Sequence, residues 1–213
     1  MSTIAIIDYG MGNLHSIAKA VERVAENTRV RISSEPDVIL SADRVVFPGV
    51  GGIGHTMQEL TRTGLGEVAC KAAASKPMLC ICVGMQALFE RSEENGGTPC
   101  LGLVQGEVKR FPDHMPGPDG HKLKVPHMGW NQVRQGAHPL WRDIDQDSRF
   151  YFVHSYYTEP VDPALIVGRT DYGREFCCAL ARENLFAVQF HPEKSQRAGL
   201  TLLGNFSRWD GRA

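Results

Sequence analysis

The apolar residues near the start of the chain change from a continuous run to a helical spacing. Residues 3–8 form a short apolar, β-branched run that is typical of a strand buried on both faces. After a turn at 9–13, with Asn13 as the expected N-cap, apolar side chains follow the spacing of an amphipathic helix. They are Leu14, Ile17, Ala18, Val21, Val24 and Ala25. Further β-branched runs at 29–33 and 44–47 predict strand–helix–strand units and a parallel sheet.

The later pattern is richer in strands. We predict helices over about 55–75, 83–91 and 195–209, strands at 77–82, 150–154, 165–169, 176–182 and 185–190, and β-ribbon at 105–111 and 121–134. Residues 112–120 hold three Pro and two Gly, which predicts an exposed, mobile loop. The chain, residues 1–213, is therefore expected to form one α/β domain with a late antiparallel elaboration.

Composition and charge exclude several classes of protein but do not predict a particular function. The chain has 213 residues, of which 42% are hydrophobic, and its net charge is −1, which gives no electrostatic case for binding nucleic acid or a membrane surface. Its six cysteines show neither Cys-x-x-Cys nor zinc-finger spacing, so we expect neither a disulfide scaffold nor a structural metal site. No signal peptide and no apolar run of about 20 residues is recognisable, and we expect a cytoplasmic protein.

The turn at Cys82 carries the strongest chemical signal. An apolar strand ends here, and a predicted helix begins with Gly84 two residues further on. Such a nucleophile elbow projects its side chain above the carboxyl edge of a sheet, where helix N–H groups stabilise a thiolate and an oxyanion. Alternatively, Cys82 is a small buried hydrophobic residue. Cys80 competes for the nucleophile role, but two positions after it stands a second cysteine rather than a glycine.

A nucleophilic cysteine needs a base and a group that orients the base, and both are candidates near the end of the chain. His191 follows an apolar strand, so we expect it at a sheet edge. Glu193 stands two residues later, beyond the stiff Pro192, and can bond the second ring nitrogen. A single histidine is more often structural, but this arrangement together with the Cys82 turn predicts a Cys-His-Glu triad.

The glycine-rich loop 48–54 has two readings. It lacks the sequence of a phosphate-binding loop. Its place after a strand suits a loop that exposes backbone N–H groups beside Cys82, with Val50 or Gly51 as the second oxyanion donor and Val83 as the first. A simple tight turn is an equally good explanation of the loop taken alone.

Together these motifs resemble a known enzyme family. Cys-x-Gly-x-Gln after an apolar strand, Pro-Gly-Val-Gly upstream and Phe-His-Pro-Glu near the end are similar to class I, triad-type glutamine amidotransferases. Residues 8–13, 125–131 and 151–156 closely resemble the glutaminase subunits of imidazole glycerol phosphate synthases, which serve histidine biosynthesis. The resemblance implies a three-layer α/β/α, flavodoxin-like fold with a mostly parallel central sheet. One departure is Cys80, where the family usually has glycine.

The resemblance also implies the reaction. Glutamine would be hydrolysed to glutamate and ammonia through a thioester on Cys82, with no cofactor and no metal. The residues implied to hold glutamine are Gly49, Gln86, His154, Ser155 and Tyr156. For His154, a packing role at the end of a strand is the alternative.

The family implies a partner as well. A (β/α)8-barrel cyclase subunit, bound as a heterodimer, would receive the ammonia and make imidazole glycerol phosphate and aminoimidazole carboxamide ribonucleotide. Trp130 is the expected interface anchor, with Asn13, Gln132 and Lys194 as weaker candidates, although Trp130 is nearly as well explained as a core residue. A guanylate- or anthranilate-type glutaminase, a cysteine peptidase of similar fold and a non-catalytic module are the rival interpretations.

Overall fold

The computed structural model describes residues 1–117 and 121–212 of the protein. A twelve-stranded sheet runs through this structure. The strands are β1 Ser2–Ile7, β2 Thr28–Ser33, β3 Arg44–Phe47, β4 Met78–Ile81, β5 Arg91–Ser92, β6 Thr98–Pro99, β7 Gly106–Arg110, β8 His127–Gln132, β9 Arg134–Gln135, β10 Arg149–His154, β11 Tyr156–Pro160, β12 Ile166–Asp171, β13 Glu175–Arg182 and β14 Leu185–Val188. The helices are α1 Leu14–Val24, α2 Pro36–Ser41, α3 Ile53–Thr63, α4 Leu65–Ala73, α5 Val83–Gln86 and α6 Gln196–Arg208.

The centre of the sheet is parallel, in the order β2-β1-β3-β4-β14. Every residue of β4 and β14 is buried, because helices cover both faces, and this explains why these strands are continuously apolar. β13, β11 and β7 extend the sheet in antiparallel pairing, while β8 and β10 form a separate two-stranded sheet. The predicted parallel sheet with a late antiparallel elaboration is confirmed.

The helices form the two outer layers. α1 packs against α6, while α2 and α3 pack against α4. Of the predicted apolar stripe of α1, Ile17, Ala18, Val21 and Ala25 are buried, while Leu14 and Val24 are half-buried. Asn13 precedes α1 and its carbonyl accepts the first helical hydrogen bond, but its side chain makes no cap bond, contrary to our prediction.

Two predicted helices were too long. The stretch 55–75 divides into α3 and α4 at Gly64, whose φ of 73° is left-handed. The helix predicted over 83–91 ends after α5 because the carbonyls of residues 87–89 accept hydrogen bonds from the backbone N–H groups of Leu101, Gly102 and Val104. Those carbonyls join a loop instead of continuing the helix.

Short elements and the proline-rich segment also differ from the prediction. α2 and β11 were not predicted. In the segment 112–120, which was expected to be exposed, Met115 is buried, and residues 118–120 lie outside the described part of the chain. Across residues 1–117 and 121–212, no helix is long and apolar enough to cross a membrane, and no cluster of metal-ligating side chains is found.

Candidate active site

Cys82 lies between β4 and α5 in a strained turn. Its φ and ψ are 55° and −111°, which non-glycine residues rarely adopt, and its N–H donates to the Val188 carbonyl of β14 at 2.7 Å. A Cβ on Gly84 would lie 2.2 Å from the Phe47 carbonyl oxygen, so only glycine allows the turn to pack against β3. Cys80, below the turn, is completely buried, and burial strongly raises the pKa of its thiol.

His191 and Glu193 form a buried pair just beyond β14. Nδ1 of His191 donates to Oε1 of Glu193 at 2.8 Å, and both side chains are at most 2% exposed. Burial alone would lower the pKa of His191, but its hydrogen bonds to Cys82 and Glu193 and their negative charges outweigh burial and raise the pKa to about 10. The structure therefore brings the three predicted triad residues together, with the imidazole between thiol and carboxylate.

The triad opens into a cavity of about 450 Å³. Its lining includes most of the predicted oxyanion and substrate residues: Val50, Gly51, Val83, Gln86, His154, Ser155 and Tyr156. Gly49, which was also predicted to contact the substrate, is not among the lining residues; it packs against the backbone of Gly84, where a Cβ would lie 2.7 Å from the Gly84 nitrogen. Glu94 and Pro126, which our sequence reading did not select, also line the cavity.

The glycine-rich loop is held in place from both sides. The buried hydroxyl of Tyr9 donates to the Pro48 carbonyl at 2.9 Å, and burial raises the pKa of Tyr9. At the other end, Oε2 of Glu94 accepts from the Ile53 N–H at 3.0 Å. Gly51, with a φ of 87°, lies between these anchors. Neither Tyr9 nor Glu94 could be assigned from local sequence, because both act on a loop that is distant in the chain.

Gln86 and Gln189 connect the cavity to the thiol. Nε2 of Gln86 donates to the Tyr156 carbonyl at 3.1 Å and to Oε1 of Gln189 at 3.0 Å. Nε2 of Gln189 in turn lies 3.6 Å from Sγ of Cys82. Gln189 was missed from the sequence, although a glutamine within the apolar run 185–190 is a recognisable anomaly.

Behind the cavity, His154 and His127 form a buried imidazole pair. Nδ1 of His154 lies 2.7 Å from the Tyr156 carbonyl, which can only accept, so this nitrogen carries the proton. Its Nε2 then accepts from Nδ1 of His127 at 3.0 Å, and Nε2 of His127 accepts from Asn131 at 3.3 Å. Burial lowers the pKa of His127 to about 4 and that of His154 to about 3, so both rings are neutral.

These histidines predict acid sensitivity. Burial also lowers the pKa of His138, to about 4. Below the ordinary histidine pKa of about 6.5, these three histidines take up protons in the unfolded chain but stay neutral in the folded protein. Stability should therefore fall as the pH drops from 6.5 towards 4, by roughly 2–3 kcal/mol at pH 4 for one such group. The stabilisation from His191, with its raised pKa, is already complete below pH 6.5. Urea unfolding at pH 7, 6 and 5 measures this, and an unchanged midpoint would contradict it.

An exposed aromatic surface lies beside the cavity. Trp130 on β8 is 43% exposed and contacts Tyr151, its cross-strand partner on β10, at 6.0 Å between ring centroids. The Lys194 ammonium lies 5.8 Å from the Tyr151 ring centre. Gln132 is exposed on the same strand as Trp130, and Asn13 is exposed after β1. The structure therefore brings Trp130 and Lys194 together around Tyr151, a residue that our sequence reading did not select.

Comparison with known proteins identifies the family. The family model "Glutamine amidotransferase class-I" matches residues 5–208. The protein named imidazole glycerol phosphate synthase subunit HisH of Methylococcus capsulatus is 58% identical over 212 residues, covering 99% of this chain and 98% of that protein. The chain belongs to the HisH family of class I glutamine amidotransferases. The HisH subunit of Pseudomonas syringae pv. syringae is 54% identical, with both chains fully covered.

Solved structures support the fold at much lower identity. A crystal structure described as a glutamine amidotransferase has a TM-score of 0.69 at 13% identity, covering 92% of this chain and 94% of that chain. A PurLQS structure from Thermotoga maritima has a TM-score of 0.68 at 15% identity, covering 96% and 97%. The three-layer α/β/α fold expected from the HisH family is thus confirmed.

Proposed function

We propose that this chain hydrolyses glutamine with a Cys82-His191-Glu193 triad and delivers the ammonia to a synthase partner. The observation that carries the proposal is the buried His191–Glu193 pair, with Cys82 and His191 lining the same substrate-sized cavity. The raised pKa of His191, about 10, favours a protonated imidazole at neutral pH, which can give a proton to the leaving nitrogen.

In the first half of the reaction the Cys82 thiolate attacks the side-chain amide carbon of glutamine. The carbonyl electrons move onto oxygen, and the oxyanion is stabilised by backbone N–H groups at Val83 and at Val50 or Gly51. His191 gives its proton to the amide nitrogen as the carbon–nitrogen bond breaks. Ammonia leaves, and a γ-glutamyl thioester remains on Cys82.

In the second half, neutral His191 takes a proton from water, whose oxygen adds to the thioester carbonyl. A second oxyanion forms in the same place and collapses with release of the thiolate. The γ-carboxyl proton passes to solvent, so glutamate leaves and the thiolate–imidazolium pair is restored. Glu193 keeps Nδ1 of His191 protonated throughout, which directs Nε2 at the reacting atoms.

The cavity provides groups for the two charged groups on the α-carbon of glutamine. Both hydrogen bonds of Gln86 use its Nε2, so its carbonyl oxygen is the atom offered to the cavity as an acceptor. Glu94 contributes a carboxylate, and both acceptors suit the substrate's α-ammonium group. The segment His154-Ser155-Tyr156 lies along the same wall and would hold the α-carboxylate.

The partner is proposed to be a (β/α)8-barrel cyclase subunit, bound as a heterodimer in the cytoplasm. Ammonia in neutral water is mostly protonated and no longer nucleophilic, so direct transfer between subunits is needed. Trp130 and Lys194, grouped around Tyr151 beside the cavity, form the proposed docking surface, with Gln132 and Asn13 at its margin.

Acid quenching tests the proposed reaction directly. Complex incubated with glutamine and quenched in acid should carry one glutamyl group on the peptide that contains Cys82, because thioesters survive acid better than base. Peptide mass spectrometry detects the adduct, and glutamate release is followed in parallel. Turnover of glutamine without any adduct on Cys82, in samples quenched during the steady state, would count against the thioester route.

Trp130→Ala should weaken subunit association. Trp130 is exposed and packs against Tyr151, whose ring also faces the Lys194 ammonium, which is the composition of an interface hot spot. Truncation of such a tryptophan typically costs about 2–4 kcal/mol, or roughly 30-fold to 1,000-fold in Kd. Titration calorimetry with the cyclase subunit measures the affinity. Val161→Ala, at a residue 70% exposed, is the matched surface control and should bind like wild type. Equal affinities for wild type, Trp130→Ala and Val161→Ala would show that Trp130 is not part of the interface.

A further inference from the structure

The buried amide of Gln189 makes a contact with the nucleophile that the triad leaves unexplained. Gln189 is completely buried between β14 and His191, and its Nε2 lies 3.6 Å from Sγ of Cys82. We propose that Gln189 is a further catalytic residue, whose amide N–H donates to the sulfur and stabilises the thiolate. This inference rests on the proposed role of Cys82 as the nucleophile.

The hydrogen-bond network determines which end of this amide faces the sulfur. The Tyr156 carbonyl can only accept, so Gln86 must direct its NH₂ group at it. The same NH₂ group lies 3.0 Å from Gln189, which must therefore present its oxygen to Gln86. The Gln189 NH₂ group is left facing Sγ of Cys82. Rotating the Gln189 amide by half a turn would place two NH₂ groups against each other and an oxygen against the thiolate.

The carbonyl at the start of this network is itself held from behind. The protonated Nδ1 of His154 donates to the Tyr156 oxygen, His127 donates to His154, and Asn131 donates to His127. Asn131 is also anchored, because its Nδ2 donates to the Asp171 carbonyl at 2.7 Å. The donors therefore run in one direction from β8 to the Tyr156 carbonyl, which accepts from His154 on one side and from Gln86 on the other.

The neutral Gln189 N–H can stabilise the sulfur in steps of the reaction in which His191 has no proton to offer. Once His191 has protonated the leaving nitrogen, it is neutral and waits to take a proton from water. The Gln189 N–H remains on the sulfur in the thioester and meets the negative charge that returns when the thiolate is expelled. We therefore expect Gln189 to assist both formation of the thiolate and its departure.

Alkylation of Cys82 by iodoacetamide tests the contact without glutamine. Gln189→Met keeps the volume but removes the donor, and Gln189→Glu keeps the acceptor for Gln86 but offers no N–H at neutral pH. The alkylation–pH midpoint at Cys82, followed by peptide mass spectrometry, should move upward by about one pH unit in both variants. In complex with the cyclase subunit, kcat for glutamine should fall roughly tenfold or more, with KM for Gln189→Glu changed by less than about threefold.

Asn205→Leu is the matched control, because it deletes a buried amide that bonds backbone carbonyls far from the cavity. It should lower the melting temperature and leave the Cys82 alkylation midpoint unchanged. The proposal would be overturned if folded Gln189 variants kept the wild-type alkylation midpoint at Cys82, or if Asn205→Leu shifted that midpoint by the same amount. If Gln189→Met does not fold, the Gln189→Glu variant alone decides. If instead wild type forms no glutamyl adduct, the proposed function fails, while the alkylation comparison still reports on the Gln189–sulfur contact.

Discussion

Cys82→Ala should abolish glutamine-dependent synthesis by the complex and spare synthesis from added ammonium salts. Without the thiolate no thioester forms, and loss of the nucleophile of a triad lowers kcat by on the order of 10⁴-fold or more. Added ammonia bypasses the glutaminase, because the cyclase uses whatever ammonia reaches it. Rates with glutamine and with ammonium at pH 8, measured on purified heterodimer, separate the two activities.

Two further variants make this test specific. Cys80→Ala removes the neighbouring thiol, which is completely buried in β4, and should keep glutamine-dependent synthesis within a few-fold of wild type. Glu193→Gln should lie between wild type and Cys82→Ala, because the imidazole stays present but loses its orienting carboxylate. Glutamine-dependent turnover retained by Cys82→Ala would refute the mechanism. Loss of the ammonium-dependent rate as well would point to damage of the complex instead.

The sequence predicts the parts of this fold whose burial is uniform. β4 and β14 are buried at every residue, and β1 and β3 are buried except for Ser2, Thr3 and Arg44 at their starts, so the apolar runs in the sequence locate all four strands. The end of the helix after Cys82 could not be predicted in this way. It depends on the carbonyls of residues 87–89 accepting hydrogen bonds from Leu101, Gly102 and Val104, and local helix propensity does not encode this competition from a distant segment.

The candidate site likewise contains residues that the local sequence predicts and one that it does not. Cys82 and His191 each follow a recognisable strand, and Glu193 stands two residues after His191, so topology brings them to one sheet edge. Gln189 is different, since its role depends on Gln86, a residue 103 positions away. Its only local signal is polarity inside an apolar strand, and polarity alone does not say which atom the side chain meets.

Gly84→Ala should strongly disrupt the turn that carries Cys82. The new Cβ would lie 2.2 Å from the Phe47 oxygen and 3.1 Å from the Phe47 carbonyl carbon, both backbone atoms that cannot rotate away. Either β3 or the Cys82 turn must shift, which we expect to cost about 3 kcal/mol and lower the melting temperature by roughly 6–12 °C. Glutaminase activity of the folded fraction should fall by at least about tenfold, because a displaced nucleophile loses its alignment with His191.

Gly66→Ala separates this clash from a general effect of replacing glycine. Gly66 lies in α4, and a Cβ there would meet its nearest atom at an ordinary 3.5 Å, so the change should be neutral or stabilise by up to about 1 kcal/mol through the unfolded state. Differential scanning calorimetry of the two variants gives the comparison. Equal melting temperatures for Gly84→Ala and wild type would mean that the turn and β3 can separate freely. The close contact between Cys82 and its sheet would then not be what positions the thiol.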